Sequence, residues 1–551
     1  MTPTRRDAIT LVPASEATAT RDSRLRVAAV ITAGVVPAWV DEVVDALAAD
    51  ERMELVIVVL GAPGGPDRPA STASVAFRLY TALDRRVFAG SDDALATVPL
   101  DPGIAHRSRT ASDQATAAEV VRAEDADVVV ALTNRENHDL ATVARLGMIR
   151  LADASTSGAD LFDHVATGDA AFDIAVELVK PDAQTASVVA RARVEVDPIS
   201  LHRNRNRAYW QGARMITNVL GSLAEERSPP SAPGRIDAKQ PPSARPAGST
   251  LRRVASIGRR AGGRQLQSRL FREEWLIAYR ERRPSLSALE TMQGFVPLPP
   301  TLGASVMDPF VIEVDGRTHL FYENYSFEAG RAMIGTVELG PAGLASTPQV
   351  VLKQPYHLSY PFVFRRDGEF FMLPETSENK TIELYRAERF PDRWVLERVL
   401  MRDLVAVDST LIEHAGRLWL FVNIAGRGTS ISTELHLFSA DDLFGRWRPH
   451  RRNPIVADAG RARPAGPIFQ HDEALVRPSQ DCTGGYGRAV VFNRIDRLDE
   501  GHYEEASVAR IDPGWLEGNI GTHGYASTER YEVVDARRLS RRFHLASWRR
   551  R

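Results

Sequence analysis

The sequence predicts an α/β domain followed by an all-β propeller, and three observations predict it. Residues 24–225 begin with continuous apolar strands separated by helical patterns. A Pro-, Ser- and Arg-rich stretch follows at 226–263. Then, between Met307 and Phe492, one pattern recurs four times: a polar or acidic residue, an apolar strand, a Gly-centred turn and an aromatic strand. The copies read MDPFVIEVDGRTHLFYE from Met307, SYPFVFRRDGEFFMLPE from Ser359, VDSTLIEHAGRLWLFVN from Val407 and ALVRPSQDCTGGYGRAVVFN from Ala474. Turns at Asp-Gly, Gly-Arg or Gly-Gly between such strands are strong hairpin signals. A period of roughly 50 to 70 residues with several strands per unit is that of a β-propeller. Equivalent inner-strand positions of successive blades converge on the central channel. Asp308, Tyr360, Asp408 and Arg477 hold such positions.

Taken in order, Leu25–Ile31 reads as a buried strand, Pro37–Ala49 as an amphipathic helix and Glu54–Leu60 as a second apolar strand, ending in the loop Gly61-Ala62-Pro63-Gly64-Gly65. Thr116–Asp125 is helical in pattern, and Asp127–Leu132 is a third buried strand. Apolar strands alternating with helices imply a parallel sheet covered on both faces. AFDIAVELV and ASVVARARVEV switch to alternation, the pattern of antiparallel strands, and a helix from Arg205 to about Leu223 closes the domain. The 226–263 stretch has the composition of a flexible, solvated linker. Leu266–Arg282 follows a helical pattern before the propeller begins. The expected plan is a disordered N-terminus (1–23), an α/β domain (24–225), the linker (226–263), the propeller (264–540) and a basic tail (541–551).

Composition narrows the class further. At 551 residues, 44% hydrophobic and 25% charged, the chain is an ordinary multidomain globular mixture. A net charge of −2 gives no overall attraction to nucleic acid or anionic membranes. All but four of the 69 basic residues are arginine, as GC-rich coding produces. The single cysteine, Cys482, excludes an internal disulfide and a thiolate metal cluster, and suits a reducing cytoplasm. Residues 1–23 lack the apolar core of a secretory signal. The apolar run Val27–Val40 is short and broken by Pro37, so no transmembrane segment is expected. No dinucleotide fingerprint, P-loop, His-Glu-x-x-His or EF-hand loop occurs, and no cofactor or metal is expected.

MDPFV, HLSYPFVF with MLPET, ELYRAERFPDRW, VDSTL with GRLWLF, and RPSQDCTGGYG occur in order across about 265–540. Together they resemble the N-terminal propeller domain of plant glucosamine inositolphosphorylceramide transferases and their bacterial relatives. That domain is similar to five-bladed propellers of the family 43 glycoside hydrolase type. The glycosyltransferase domain that follows in the plant protein has no counterpart here, so its activity does not transfer with the resemblance. Residues 24–225 look similar to formyltransferase-fold domains. At the position of that family's Asn-x-His motif the sequence reads Gly147-Met148-Ile149-Arg150-Leu151-Ala152-Asp153, without the imidazole a formyl relay needs. The expected role is a degenerate scaffold or binding module, with nearby His138 and Asp139 as surface residues.

Glycosidic cleavage needs one ionised and one protonated carboxyl flanking the bond, often with a third acid that tunes the proton donor. The resemblance places the base at Asp308, in its Asp-Pro motif, and the tuning acid at Asp408. The family's general acid lies in a Glu-Gly-Pro context, where this chain has Ala465-Gly466-Pro467. Glu375, ending a buried strand, is the substitute candidate, with Asp481 and Glu473 as alternatives. Each has a plain structural reading: Asp308 and Asp408 as turn-capping aspartates, Glu375 as a salt-bridge partner, Arg477 and Asp481 as each other's partners across a hairpin. Arg477 is equally suited to clamp a phosphate or carboxylate. Glu323, His357, Tyr360, Gln480, Tyr486 and His523 complete the expected substrate-binding lining, His523 marking the fifth blade. Trp419 and Phe421 alternate within a strand and belong to the core. The expected function is glycosidase- or glycosyl-transfer-type chemistry on a glycan or glycoconjugate. The alternative is a non-catalytic glycan-binding or assembly protein of polysaccharide or glycolipid synthesis. Formyl or acyl transfer by the first domain is a third option, which the missing motif opposes.

Overall fold

The computed structural model describes residues 24–32, 34–61, 75–133, 138–152, 158–182, 186–226, 249–282, 292–299, 303–341 and 343–542. They form two compact units, one within Ser15–Gly262 and one spanning Gly263–Ala425 and Ile431–Arg551.

The first unit is mixed α/β. Seven of its strands form one sheet in the order Ser108–Ala111, Met53–Leu60, Leu25–Ile31, Val128–Ala131, Met148–Leu151, Ala171–Val179 and Ala186–Glu195. The first five are parallel and the last two antiparallel. The apolar-run strands are therefore the parallel ones, and the alternating strands the antiparallel pair, as their patterns require. Helix Leu201–Glu226 buries Trp210, Ile216, Val219 and Leu220. Gly212 permits its close approach to the sheet, since a Cβ there would meet Leu151 at 2.7 Å. Of the expected linker, 227–248 lie outside the described residues, as do Ala62–Gly65 and Asp153. Thr250–Leu270 is a helix that begins inside the expected linker and ends well before Arg282. Phe271–Glu281 is a strand, not the helix expected there.

The second unit is a five-bladed propeller, as the strand pairing shows directly. In the first three blades an inner strand hairpins onto a second: Ala304–Val314 with Arg317–Ser326, Ser359–Arg366 with Glu369–Thr376, and Val405–His414 with Arg417–Ala425. Their two-residue turns, Asp315-Gly316, Asp367-Gly368 and Ala415-Gly416, have φ between 49° and 84°. Both turn residues are left-handed, the geometry that matches strand twist. The fourth blade departs from the expected register. Its first hairpin joins Phe469–His471 to Ala474–Asp481 through Asp472-Glu473, and Pro464 bridges Ser479. The Ala474 copy thus contains the second and third strands of its blade, and the inner segment is the preceding Arg463–His471. Phe271–Glu281 closes the ring by pairing along its whole length with Tyr531–Arg541 of the fifth blade. Arg280 and Glu532, both buried, seal this pairing at 2.6 Å. Trp419 and Phe421 are buried in a cluster with Leu437 and Tyr503.

Candidate functional site

Each of the first three inner strands carries the same irregularity. Pairing skips between Met307 and Phe310, between Ser359 and Phe362, and between Val407 and Thr410. The bulged residues Asp308, Tyr360 and Asp408 have φ of 50°, 45° and 57°. A non-glycine residue in this region costs on the order of 1 kcal/mol or more and persists where the surroundings fix it. The bulge turns each side chain off the blade face, and all three are at least 95% buried.

Two carboxylate clusters result. In the first, Asp308 Oδ2 accepts from the Tyr360 N–H at 3.1 Å, and the Asp308 N–H donates to Asp535 Oδ2 at 3.3 Å. His523 lies between the two acids, its Nδ1 hydrogen-bonded to Asp535 Oδ2 and its Nε2 3.6 Å from Asp308 Oδ1. Burial would lower the His523 pKa, but the two carboxylates raise it overall. Burial pushes Asp308 well above the usual carboxylate range, His523 opposing and Glu323, Asp408 and Asp535 adding to the rise. Trp275 stacks on His523 with ring centroids 3.9 Å apart, and Tyr486 meets it edge-on at 5.3 Å. Donor atoms of Asp308, His523 and Asp535 lie within 4.8 Å of one another, near enough to hold a cation. They place one imidazole between two carboxylates, hydrogen-bonded to Asp535 and, through a buried Nε2 that makes no hydrogen bond, facing Asp308.

The second cluster centres on Arg463. Its Nε donates to Asp408 Oδ2 at 2.6 Å, and its Nη2 lies 3.7 Å from Glu375 Oε2. Gln480 donates to the same Asp408 oxygen at 3.0 Å, and Ser377 donates to Glu375 Oε1 at 2.6 Å. Burial, then the adjacent Asp408 with which it shares a hydrogen bond, pushes Glu375 up to about 8, Arg463 limiting the rise. Glu375 thus favours its protonated form at neutral pH, beside an Asp408 carboxyl that accepts from both Arg463 and Gln480. Tyr360 joins inner segments of separate blades: its hydroxyl is 2.7 Å from Thr410 Oγ1 and accepts from the Gly466 N–H at 2.8 Å. Glu323, on the second strand of the first blade, pairs with His357 at 3.3 Å. Burial lowers and Glu323 raises the His357 pKa, the net being a rise to which Glu375 and Asp308 contribute.

The structure therefore brings together Asp308, Glu323, His357, Tyr360, Glu375, Asp408, Gln480, Tyr486 and His523. It places the other three predicted residues elsewhere. Arg477 is 99% buried, but it faces Glu505, binding it through Nε at 2.9 Å and Nη2 at 2.8 Å, with further bonds to the carbonyls of Arg461 and Ala462. Asp481 does not pair with Arg477; it binds Arg510 at 2.7 Å and caps Thr483. Glu473 is exposed in a turn and lines a groove of about 670 Å³ with His414, His471 and Arg494, none of them in the two clusters. Sequence reasoning missed Arg463, Asp535 and Trp275. An acid inside the apolar run Val533-Val534-Asp535-Ala536 was the available signal for one of them.

A family model described as glucosamine inositolphosphorylceramide transferase 1, N-terminal, matches residues 300–547. The glucosamine inositolphosphorylceramide transferase 1 of Oryza sativa subsp. japonica is 34% identical over 239 residues, covering 43% of this chain and 32% of that protein. Its namesake from Arabidopsis thaliana is 34% identical over 205 residues, covering 36% and 27%. The chain thus spans about a third of the length of the curated relatives it matches. Among solved structures, a GH43_1 enzyme from Xanthomonas citri aligns at a TM-score of 0.33 and 13% identity, over 48% of this chain and 95% of that one. A family 117 glycoside hydrolase from Zobellia galactanivorans aligns at 0.32 and 12%, over 49% and 92%. Likeness at this level carries no argument; the five blades rest on the strand pairing. Over its propeller, the chain is similar to the N-terminal region of the plant transferases.

Proposed function

We propose that the protein is carbohydrate-active, acting on a glycan or glycoconjugate in the propeller channel. The observation that carries this reading is Glu375, a buried carboxyl pushed up to about 8 beside an Asp408 that accepts from Arg463 and Gln480. Glycosidic chemistry needs a proton donor whose pKa lies near the working pH, and Glu375 meets that condition. Glu375 takes the acid's role, Asp408 tunes it, and Asp308 is the base, with the His523 imidazole 3.6 Å away placed to take up its proton. Tyr486 offers an aromatic face, and Glu323, His357 and Gln480 offer hydroxyl partners. The similar plant proteins are named for glucosamine and inositolphosphorylceramide, so hexosamine and inositol-phosphate glycolipids lead the substrate classes to try.

One observation favours the second reading, a non-catalytic glycan-binding or assembly protein. Ala465 occupies the position where the family resemblance expects the general acid. For the first unit we propose a scaffold or binding role on a formyltransferase-like plan; strand Met148–Leu151 carries no histidine for a relay. The lone, buried Cys482 fits a cytoplasmic setting. Among the described residues no helix is long and apolar enough to cross a membrane.

The test is turnover and binding across hexosamine-containing glycosides and inositol-phosphate glycans, with wild type and E375Q. Turnover that falls about 10²- to 10⁴-fold in E375Q with binding retained supports the enzyme. Binding without turnover in wild type supports the second reading. Neither binding nor turnover sinks both.

A further inference from the structure

Helix Val75–Phe88 of the first unit is apolar on two faces. Its inner face is anchored: Phe77 and Tyr80 meet Phe162 at 5.0 and 5.6 Å, and Asp84 accepts from the His202 N–H at 2.6 Å. Its outer face exposes Val75, Leu79, Leu83 and Val87, each 60–67% accessible. A spacing of four residues sets these side chains on one slowly turning stripe, about 18 Å from first to last. Scattered exposed apolar residues need no explanation, but an aligned set of four marks a surface that something covers.

The charges beside the stripe say what. Arg78 lies along one edge and Arg86 within it, and both are exposed. Arg85 on the same edge is 3.2 Å from Asp93. The helix has one acid, Asp84, and it is buried on the opposite side. We propose that this helix docks flat on an anionic lipid surface, its four apolar side chains entering the headgroup boundary and Arg78 and Arg86 meeting lipid phosphates. An exposed apolar stripe with a basic flank and no exposed acid is the pattern of an interfacial helix. Arginine within such a stripe reaches the headgroups along its own stem. A second copy of the chain suits the surface less well. Twofold pairing of this face would bury Arg86 with no acid on either helix to receive it.

Co-sedimentation of the full chain tests this, using phosphatidylcholine vesicles with and without phosphatidylserine. Binding is expected only to the phosphatidylserine vesicles and is expected to weaken with salt. Replacing both Arg78 and Arg86 with Gln should lower partitioning on the order of tenfold or more. Leu79→Gln with Leu83→Gln should reduce it at least as far while leaving thermal unfolding unchanged, because both side chains are exposed. Equal affinity for neutral vesicles, or binding to neither, overturns the proposal. So does a concentration-dependent dimer that the leucine substitutions abolish, since the stripe would then be a protein interface.

Discussion

Arg463 and Arg477 lie fourteen positions apart in one blade, and both are at least 95% buried. Every side-chain nitrogen of Arg477 is engaged: a two-point contact with Glu505 and two backbone carbonyls occupy Nε, Nη1 and Nη2. Arg463 differs. Its Nη1 is buried without a hydrogen-bond partner, and its neighbours are two acids of which one keeps its proton. The contrast separates scaffold from site. A buried ion pair with every nitrogen engaged fixes a blade; one with a nitrogen left over, beside an acid whose pKa is raised, is the arrangement the proposed site calls for.

The largest effect expected from breaking this contrast is at Arg477. Arg477→Met leaves Glu505 buried with Tyr503 and the more distant Arg461, and should cost roughly 3–5 kcal/mol in urea unfolding. A loss below about 1 kcal/mol would remove Arg477 from the scaffold. The pH sign is also fixed. Burial raises the Glu505 pKa, but Arg477 brings it below 4.5 overall. This pair therefore stabilises the fold above that pH, and its contribution is lost as pH falls through the lowered value.

Glu375 has the opposite sign. Its pKa rises from 4.5 to about 8, so the folded state holds a proton that the unfolded chain releases. Its contribution is fully present below 4.5 and is lost, to the extent of several kcal/mol, as pH rises toward 8. Glu375→Gln should therefore gain stability relative to wild type between about pH 5 and about pH 8. A constant difference across that range would mean that Glu375 does not hold the proton. Next in size is Tyr360→Phe, which strands the buried Gly466 N–H and should cost about 1–3 kcal/mol in the same measurement.

These same residues show how far the sequence carries. Asp-Gly turns announce the first two hairpins because both turn positions must be left-handed. The third, expected at Gly416-Arg417, turns one residue earlier at Ala415-Gly416, and the register still places Asp308, Tyr360 and Asp408 together. In the fourth blade the turn is Asp472-Glu473, without glycine, while the obvious Gly484-Gly485 lies one strand later. The reading slipped by a strand, promoting Arg477 to the channel and hiding Arg463. Phe271–Glu281 was misjudged for a different reason. Its strand character comes from pairing with Tyr531–Arg541 more than two hundred residues away, and local pattern does not record such pairing. Three of the five parallel strands of the first unit were legible because burial on both faces writes a continuous apolar run; Ser108–Ala111 and Met148–Leu151, without such a run, were not.

The smallest change separates charge from geometry at Arg463. Lysine retains a cation beside Asp408 but not the planar fork that reaches Asp408 through Nε and Glu375 through Nη2. Arg463→Lys should cost only about 1 kcal/mol, because Asp408 keeps an opposite charge and Gln480 still donates to it. Glu375, losing the one cation that limits its rise, should titrate still higher. The pH at which the variant's stability falls away should accordingly move upward from that of wild type. If that midpoint stays put while stability drops by several kcal/mol, Arg463 is a structural cation like Arg477 and the contrast between the two dissolves.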